Sequence, residues 1–83
     1  MKREVNVIQT VMVEIDEGKF DNSFMQEFRE SFYNFKTIDD HIHHLAQLYS
    51  RGIAKNDDFI EGYGLTEDMG IKFKTTDQYE EYA

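Results

Sequence analysis

The chain holds 83 residues, with 17 Asp and Glu against nine Lys and Arg, a formal charge of −8, and no cysteine. The surplus of carboxylates works against direct contact with a nucleic-acid backbone or an anionic bilayer, each of which needs Lys or Arg in excess, and the lack of thiols removes disulfides and thiolate metal sites as sources of stability. Aromatic residues still make up 14% of the chain, more than acidic disordered segments carry, so the charge is expected on the surface of one small domain spanning 1–83.

Met1 to Val5 lead straight into an alternating pattern rather than into a signal-peptide core. Val5, Val7, Val11, Val13 and Ile15 follow period two against Asn6, Thr10, Glu14 and Asp16, which predicts a first strand with its valine face buried against Phe24, Phe28, Ile42 and Leu45. Gln9 interrupts that face while Ile8 and Met12 are apolar on the other, so either part of the second face is covered or a bulge switches faces. Asp16-Glu17-Gly18-Lys19 reads as a turn.

Asp21 is placed to N-cap a first helix running from about Asn22 to Tyr33, with Phe20 stapled onto Met25. Phe24, Phe28 and Phe32, with Met25 and Phe35, make an apolar stripe that a domain this small needs for its core. Thr37 opens a second helix, Asp39 and Asp40 sit at the positive end of its dipole, Ile38, Ile42, Leu45 and Tyr49 form its face, and Gly52 ends it. The short link between the helices predicts a helical hairpin.

From Ile53 to Gly70 the periodicity dissolves around Gly62-Tyr63-Gly64, with a short third strand possible at Phe59-Ile60. Ile71, Phe73 and Thr75 alternate with Lys72, Lys74 and Thr76, a closing strand antiparallel to the first whose lysines would lie across from Glu4, Glu14 or Asp16. Residues 77–83 are expected to be a frayed acidic end. The fold class is therefore α+β in βααβ order: an antiparallel sheet of two or three strands with a helical hairpin on one face. So small a sheet leaves the edge of the first strand available to a second copy, and a homodimer is an open alternative.

Candidate chemistry is sparse. Asp40, His41 and His44 have helical spacing compatible with a zinc-like ion, but the reading preferred here leaves the two histidines flanking the buried face and Asp40 acting as a helix-start charge, with no metal or other cofactor. No serine stands in a nucleophile-elbow context and no glycine-rich phosphate loop occurs, so no enzyme is expected. The charge distribution says more. Residues 1–37 carry seven acids and five bases, whereas 38–83 carry ten acids and four bases. Between Asn56 and Gly70 the acids Asp57, Asp58, Glu61, Glu67 and Asp68 occur without a base, interleaved with Phe59, Tyr63 and Leu65. Carboxylates that steer encounter, with Tyr63 as an aromatic anchor, suit a groove rich in Arg and Lys; the alternative is a solvated loop whose aromatics return to the core.

In size, acidity, aromatic content and lack of an active site the whole chain resembles the small acidic phage-encoded inhibitors of bacterial defence, the anti-CRISPR proteins among them. That resemblance implies a cytoplasmic inhibitor that occupies a basic, nucleic-acid-handling protein, with carboxylates standing in for phosphates. Two alternatives remain: an accessory module of a phage or mobile element that binds through a strand edge, and a metal or small-ligand site at the histidines. With no apolar run near the ~20 residues of a membrane span, the chain is expected to be soluble.

Overall fold

The computed structural model describes residues 1–82, without the side chains of Val7 and of 77–82. Strand β1 (Val5–Glu14) is followed by a single 3₁₀ turn over Glu17–Lys19, helix α1 (Asn22–Ser31), helix α2 (Ile38–Ser50), the short strands β2 (Phe59–Ile60) and β3 (Gly64–Leu65), and strand β4 (Lys72–Tyr82). The chain is α+β in the expected βααβ order. β1 and β4 form one antiparallel two-stranded ribbon, and β2 and β3 form a second, separate two-stranded sheet. The strand expected at Phe59-Ile60 thus exists but pairs within its own hairpin, not with β1 or β4.

Local chemistry sets the helix ends. The Asp16 carboxylate accepts from the Gly18 amide at 3.0 Å and closes the 3₁₀ turn. Asp21 accepts from the Phe24 amide at 2.9 Å as the N-cap of α1, and α1 stops at Ser31, two residues short of the expected Tyr33. Thr37 and Asp40 form a reciprocal capping box at the start of α2. At its far end the Ile53 amide donates to the Leu48 carbonyl at 2.9 Å and the Gly52 amide to the Tyr49 carbonyl at 3.0 Å. This pair of bonds is the Schellman closure, and it requires the left-handed φ of +75° that Gly52 adopts.

The core gathers Phe20, Met25, Phe28, Leu45, Ala54, Ile60, Tyr63, Ile71 and Phe73. Val11, Val13 and Ile15 pack against it half-buried, as do Phe24, Phe35, Ile38 and Tyr49. The expected burial of the valine face holds only for this inner half of the strand. Val5, on the same face, is 41% exposed, because the outer half of the ribbon runs beyond the helices and helps give the molecule a long axis of 52 Å; Ile8 and Met12, on the opposite face, are 40% and 58% exposed. The Val7 side chain lies outside the described residues. α2 packs against β1, and Tyr49 stacks on Phe73 with ring centroids 4.8 Å apart.

The bulge suggested by Gln9 lies on the opposite strand. Thr10 pairs with Asp77 and Val11 with Thr75, so Thr76 is the extra residue. Its hydroxyl donates to the Thr10 carbonyl at 3.3 Å, and the Gln9 amide donates to the Thr75 hydroxyl at 3.0 Å. Pairing places Glu14 opposite Lys72, as the sequence suggests, and Met12 opposite Lys74. The frayed end expected over 77–83 is corrected: β4 stays paired with β1 out to Tyr82, because β1 is long enough to partner it, and Ala83 lies outside the described residues.

Gly62 has φ of +91°, and a Cβ there would meet Phe28 Cε2 at 2.8 Å and Phe32 Cε2 at 3.3 Å. Gly62→Ala is therefore expected to cost about 2–5 kcal/mol in urea unfolding, a left-handed penalty of roughly 1–2 plus overpacking of roughly 1–3. Gly52→Ala, with nothing within 4 Å of its added methyl, should lose only the first part. Equal losses for the two variants would show that the Phe28–Phe32 contact does not constrain the β2–β3 turn.

Candidate functional site

The acidic segment folds as a hairpin with two chemically distinct faces. Ile60, Tyr63 and Thr66 are buried, while Phe59 and Leu65, directly opposed across the β2–β3 ladder, are 64% and 53% exposed. Asp57, Glu61, Glu67 and Asp68 are exposed and Asp58 is half-buried. An exposed apolar pair is thus surrounded in sequence by five carboxylates with no Lys or Arg between Asn56 and Gly70. Backbone chemistry holds this arrangement. The Thr66 amide donates to the Asp58 carbonyl at 2.9 Å, the Asp58 amide to the Thr66 hydroxyl at 3.2 Å, and the Phe59 amide to the Asp58 carboxylate at 2.8 Å. Asp57 adopts φ of +57°, a left-handed conformation that Asp tolerates better than most residues.

Tyr63 is corrected as the aromatic anchor. It is only 5% exposed, and its hydroxyl lies 2.9 Å from His41 Nδ1. Gly62 and Gly64, both at positive φ, turn the chain so that Tyr63 points inward. The outward aromatic is Phe59, which the sequence left as a candidate core residue. Alternation along a two-residue strand is too brief to reveal which side faces out, and Ile60, its neighbour, takes the interior place.

An open groove of about 910 Å³ lies beside the hairpin, lined among others by Met12, Glu14, Asp57, Glu67, Lys72 and Lys74. It divides the acids. Asp57 and Glu67 share the groove with two cationic side chains, whereas Asp58, Glu61 and Asp68 do not line it. Asp58, Glu61 and Asp68 are thus the acids of the cluster that lie outside the groove shared with the lysines.

The proposed metal ligands do not converge. The Asp40 carboxylate turns back to accept from the Lys36 amide at 3.0 Å and the Thr37 amide at 3.2 Å, and those bonds hold its carboxyl below the usual range. His41 is fully buried and does not flank the apolar face as expected; it is the centre of that face. Its ring meets Phe28 at 4.6 Å, Phe35 at 5.1 Å, Phe20 at 5.5 Å and Phe24 at 5.8 Å between centroids. His44 is half-buried and lies edge-on to Tyr33 and Phe35. Among the described residues no group of three His, Asp or Glu is placed to hold a metal ion. The helical spacing of Ile38, His41, Leu45 and Leu48 carries the signal for this face, with histidine in a position where an apolar residue is the ordinary choice.

Burial is the main cause that holds the His41 imidazole below its ordinary value, followed by the nearby His44 charge; Asp40 opposes the shift and Arg29 adds to it. Burial also lowers His44 and raises the Tyr63 phenol. His41 Nε2 is buried without a hydrogen-bond partner among the described residues, so a proton added there would place a charge among phenyl rings. No family model matches the chain, and neither a curated protein nor a solved structure does so significantly.

With a folded-state value below the unfolded ~6.5, the unfolded chain takes up this proton first. Stability is therefore flat above about pH 6.5 and falls as pH drops through that value toward the folded one. Urea unfolding from about pH 8 to about pH 5.5 should show the decline, and the double variant His41→Leu, Tyr63→Phe, which removes both polar partners together, should flatten most of it. A double variant that declines as steeply as the parent would assign the proton uptake elsewhere.

Proposed function

We propose that this chain is a small acidic binding protein that occupies the cationic, nucleic-acid-handling surface of a partner protein and so inhibits it. The observation that carries this reading is the Phe59–Leu65 pair, exposed on a hairpin whose remaining side chains are either buried or carboxylate. Apolar side chains left in water across a two-residue ladder add nothing to the core, yet they offer a partner an anchor. Asp58, Glu61 and Asp68 supply the negative field around it, and a cationic protein groove that ordinarily receives phosphates is its electrostatic complement.

The two parts of such a surface act on different rates. Exposed carboxylates attract over a Debye length of about 8 Å at physiological ionic strength and raise the rate of encounter. The Phe59 ring acts once water has left the interface and slows departure. A tight complex needs both, because net charge alone is screened by salt and two apolar side chains alone give little orientation.

Capture from a bacterial lysate at low and high salt, with mass spectrometry of the bound protein, should return a basic nucleic-acid-binding partner that added DNA or RNA displaces. Against that partner, reversing the exposed Glu61 and Asp68 to Lys is expected to slow association by about tenfold or more and flatten its salt dependence. Phe59→Ala should instead speed dissociation by about tenfold, a loss of roughly 1.4 kcal/mol. Unchanged binding by both variants, with their circular dichroism intact, would sink the reading.

A further inference from the structure

The β1–β4 ribbon has two outer edges, and they differ. On β4 the outer edge is occupied at its start: the Phe73 amide donates to the Asn56 side-chain oxygen at 2.8 Å, the Asn56 side-chain nitrogen donates to the Phe73 carbonyl at 3.0 Å, and the Ile71 amide donates to the Thr66 carbonyl at 2.9 Å. The rest of β4 carries Asp77, Glu80 and Glu81, and Lys72 and Lys74 precede them, the charges with which edge strands resist further pairing. β1 has neither protection. From Val5 to Val13 it contains no charged residue, and among the described residues its backbone between Val5 and Glu14 makes no main-chain bond outside the ribbon.

We infer that the free edge of β1 pairs antiparallel with the same edge of a second copy, centred on Ile8, to give a four-stranded sheet in the order β4-β1-β1-β4. A two-fold axis requires one β1 residue to face its own copy, and the candidates around the middle of the strand are Val7, Ile8, Gln9 and Thr10. Centring on Thr10 sets Glu4 opposite Asp16 of the second copy, two like charges. Centring on Gln9 sets Glu4 opposite Glu14 of the second copy, a like-charge contact. Centring on Val7 sets no opposite charges together. Centring on Ile8 sets Lys2 opposite Glu14, while Val5 meets Val11, Asn6 meets Thr10 and Ile8 meets Ile8, all without a like-charge contact. Glu14 already lies opposite Lys72 within its own ribbon, so this register makes a row of Lys72, Glu14 and Lys2 across three strands.

The exposure of Ile8 fits the same geometry, since a side chain 40% exposed on an uncharged edge gains cover from its own copy. Repulsion between two chains of charge −8 does not forbid it. The acidic strands β4 stand three strand spacings apart, about 14 Å, beyond a Debye length of about 8 Å. The acidic hairpin sits beside the opposite, inner end of the ribbon, where Met12 and Glu14 line the shared groove. A two-stranded ribbon is marginal alone, and a four-stranded sheet is not.

The chain has no cysteine, so single thiols report register directly. Ile8→Cys should oxidise to a covalent dimer, because directly opposed strand residues are spaced about 4.5–5.5 Å between Cα atoms, within disulfide reach. Met12→Cys should not crosslink to itself, yet it should do so when mixed with Glu4→Cys. Sedimentation of the unmodified chain should give twice the monomer mass, and Lys2→Glu should weaken that dimer several-fold through two symmetry-related contacts. A monomer at every concentration overturns the proposal, as does a dimer in which Met12→Cys crosslinks to itself and Ile8→Cys does not.

Discussion

A single hydrogen bond in a ring of phenyl groups organises this molecule. His41 on α2 reaches Tyr63 on the β2–β3 hairpin at 2.9 Å, and around that contact stand Phe20 from the turn before α1, Phe24 and Phe28 from α1, and Phe35 from the link between helices. Five stretches of chain thus meet at one polar pair. In an apolar setting such a bond is hard to replace, because either group left alone keeps its full desolvation penalty. The bond also has a geometric effect. It fixes Tyr63 inward, the two flanking glycines turn the chain around it, and Phe59 and Leu65 are left on the outside.

Much of this was legible in the sequence. Asp21, Thr37 and Gly52 announce the helix ends through chemistry that acts within a few residues, and the alternation of β1 and of Ile71 to Thr76 fixes two strands and their antiparallel relation. What was hidden depends on contacts between distant segments. Histidine at position 41 reads as polar until its partner, 22 residues away, is known. Ile42, which looks like the centre of the α2 face, is only half-buried because His41 and Leu45 take that place. The exchange of roles between Phe59 and Tyr63 follows from the same cause: both are aromatic and both sit among acids, and only one has a hydroxyl that the buried imidazole can use. The continuation of β4 past Thr76 was concealed by its composition, since Asp77, Glu80 and Glu81 read as a solvated tail. In a ribbon whose outer half lies away from the core, those carboxylates need not be buried for the strand to form.

The two ends of the ribbon therefore serve different purposes. Its inner half, with Val11, Val13 and Phe73, is a wall of the core, and Thr76 marks where that wall ends. A bulge increases local twist, so the outer half need not follow the curvature that packing on α2 imposes. Charge differs along the ribbon: Glu14 lies opposite Lys72 at the inner end, whereas β1 carries no charge between Val5 and Val13.

Because β1 and β4 lie near opposite ends of the sequence, the ribbon has a temporal consequence as well as a spatial one. The capping signals of α1 and α2 are local, so both helices can begin to order as soon as they leave the ribosome. β1 emerges before them and has no strand partner until β4 is made. At synthesis rates of about 5–20 residues per second that wait lasts on the order of seconds. During it, an uncharged segment rich in β-branched residues stands open to any strand it meets, the same segment of another nascent copy included. The order of the elements thus exposes the uncharged strand well before the partner that covers it.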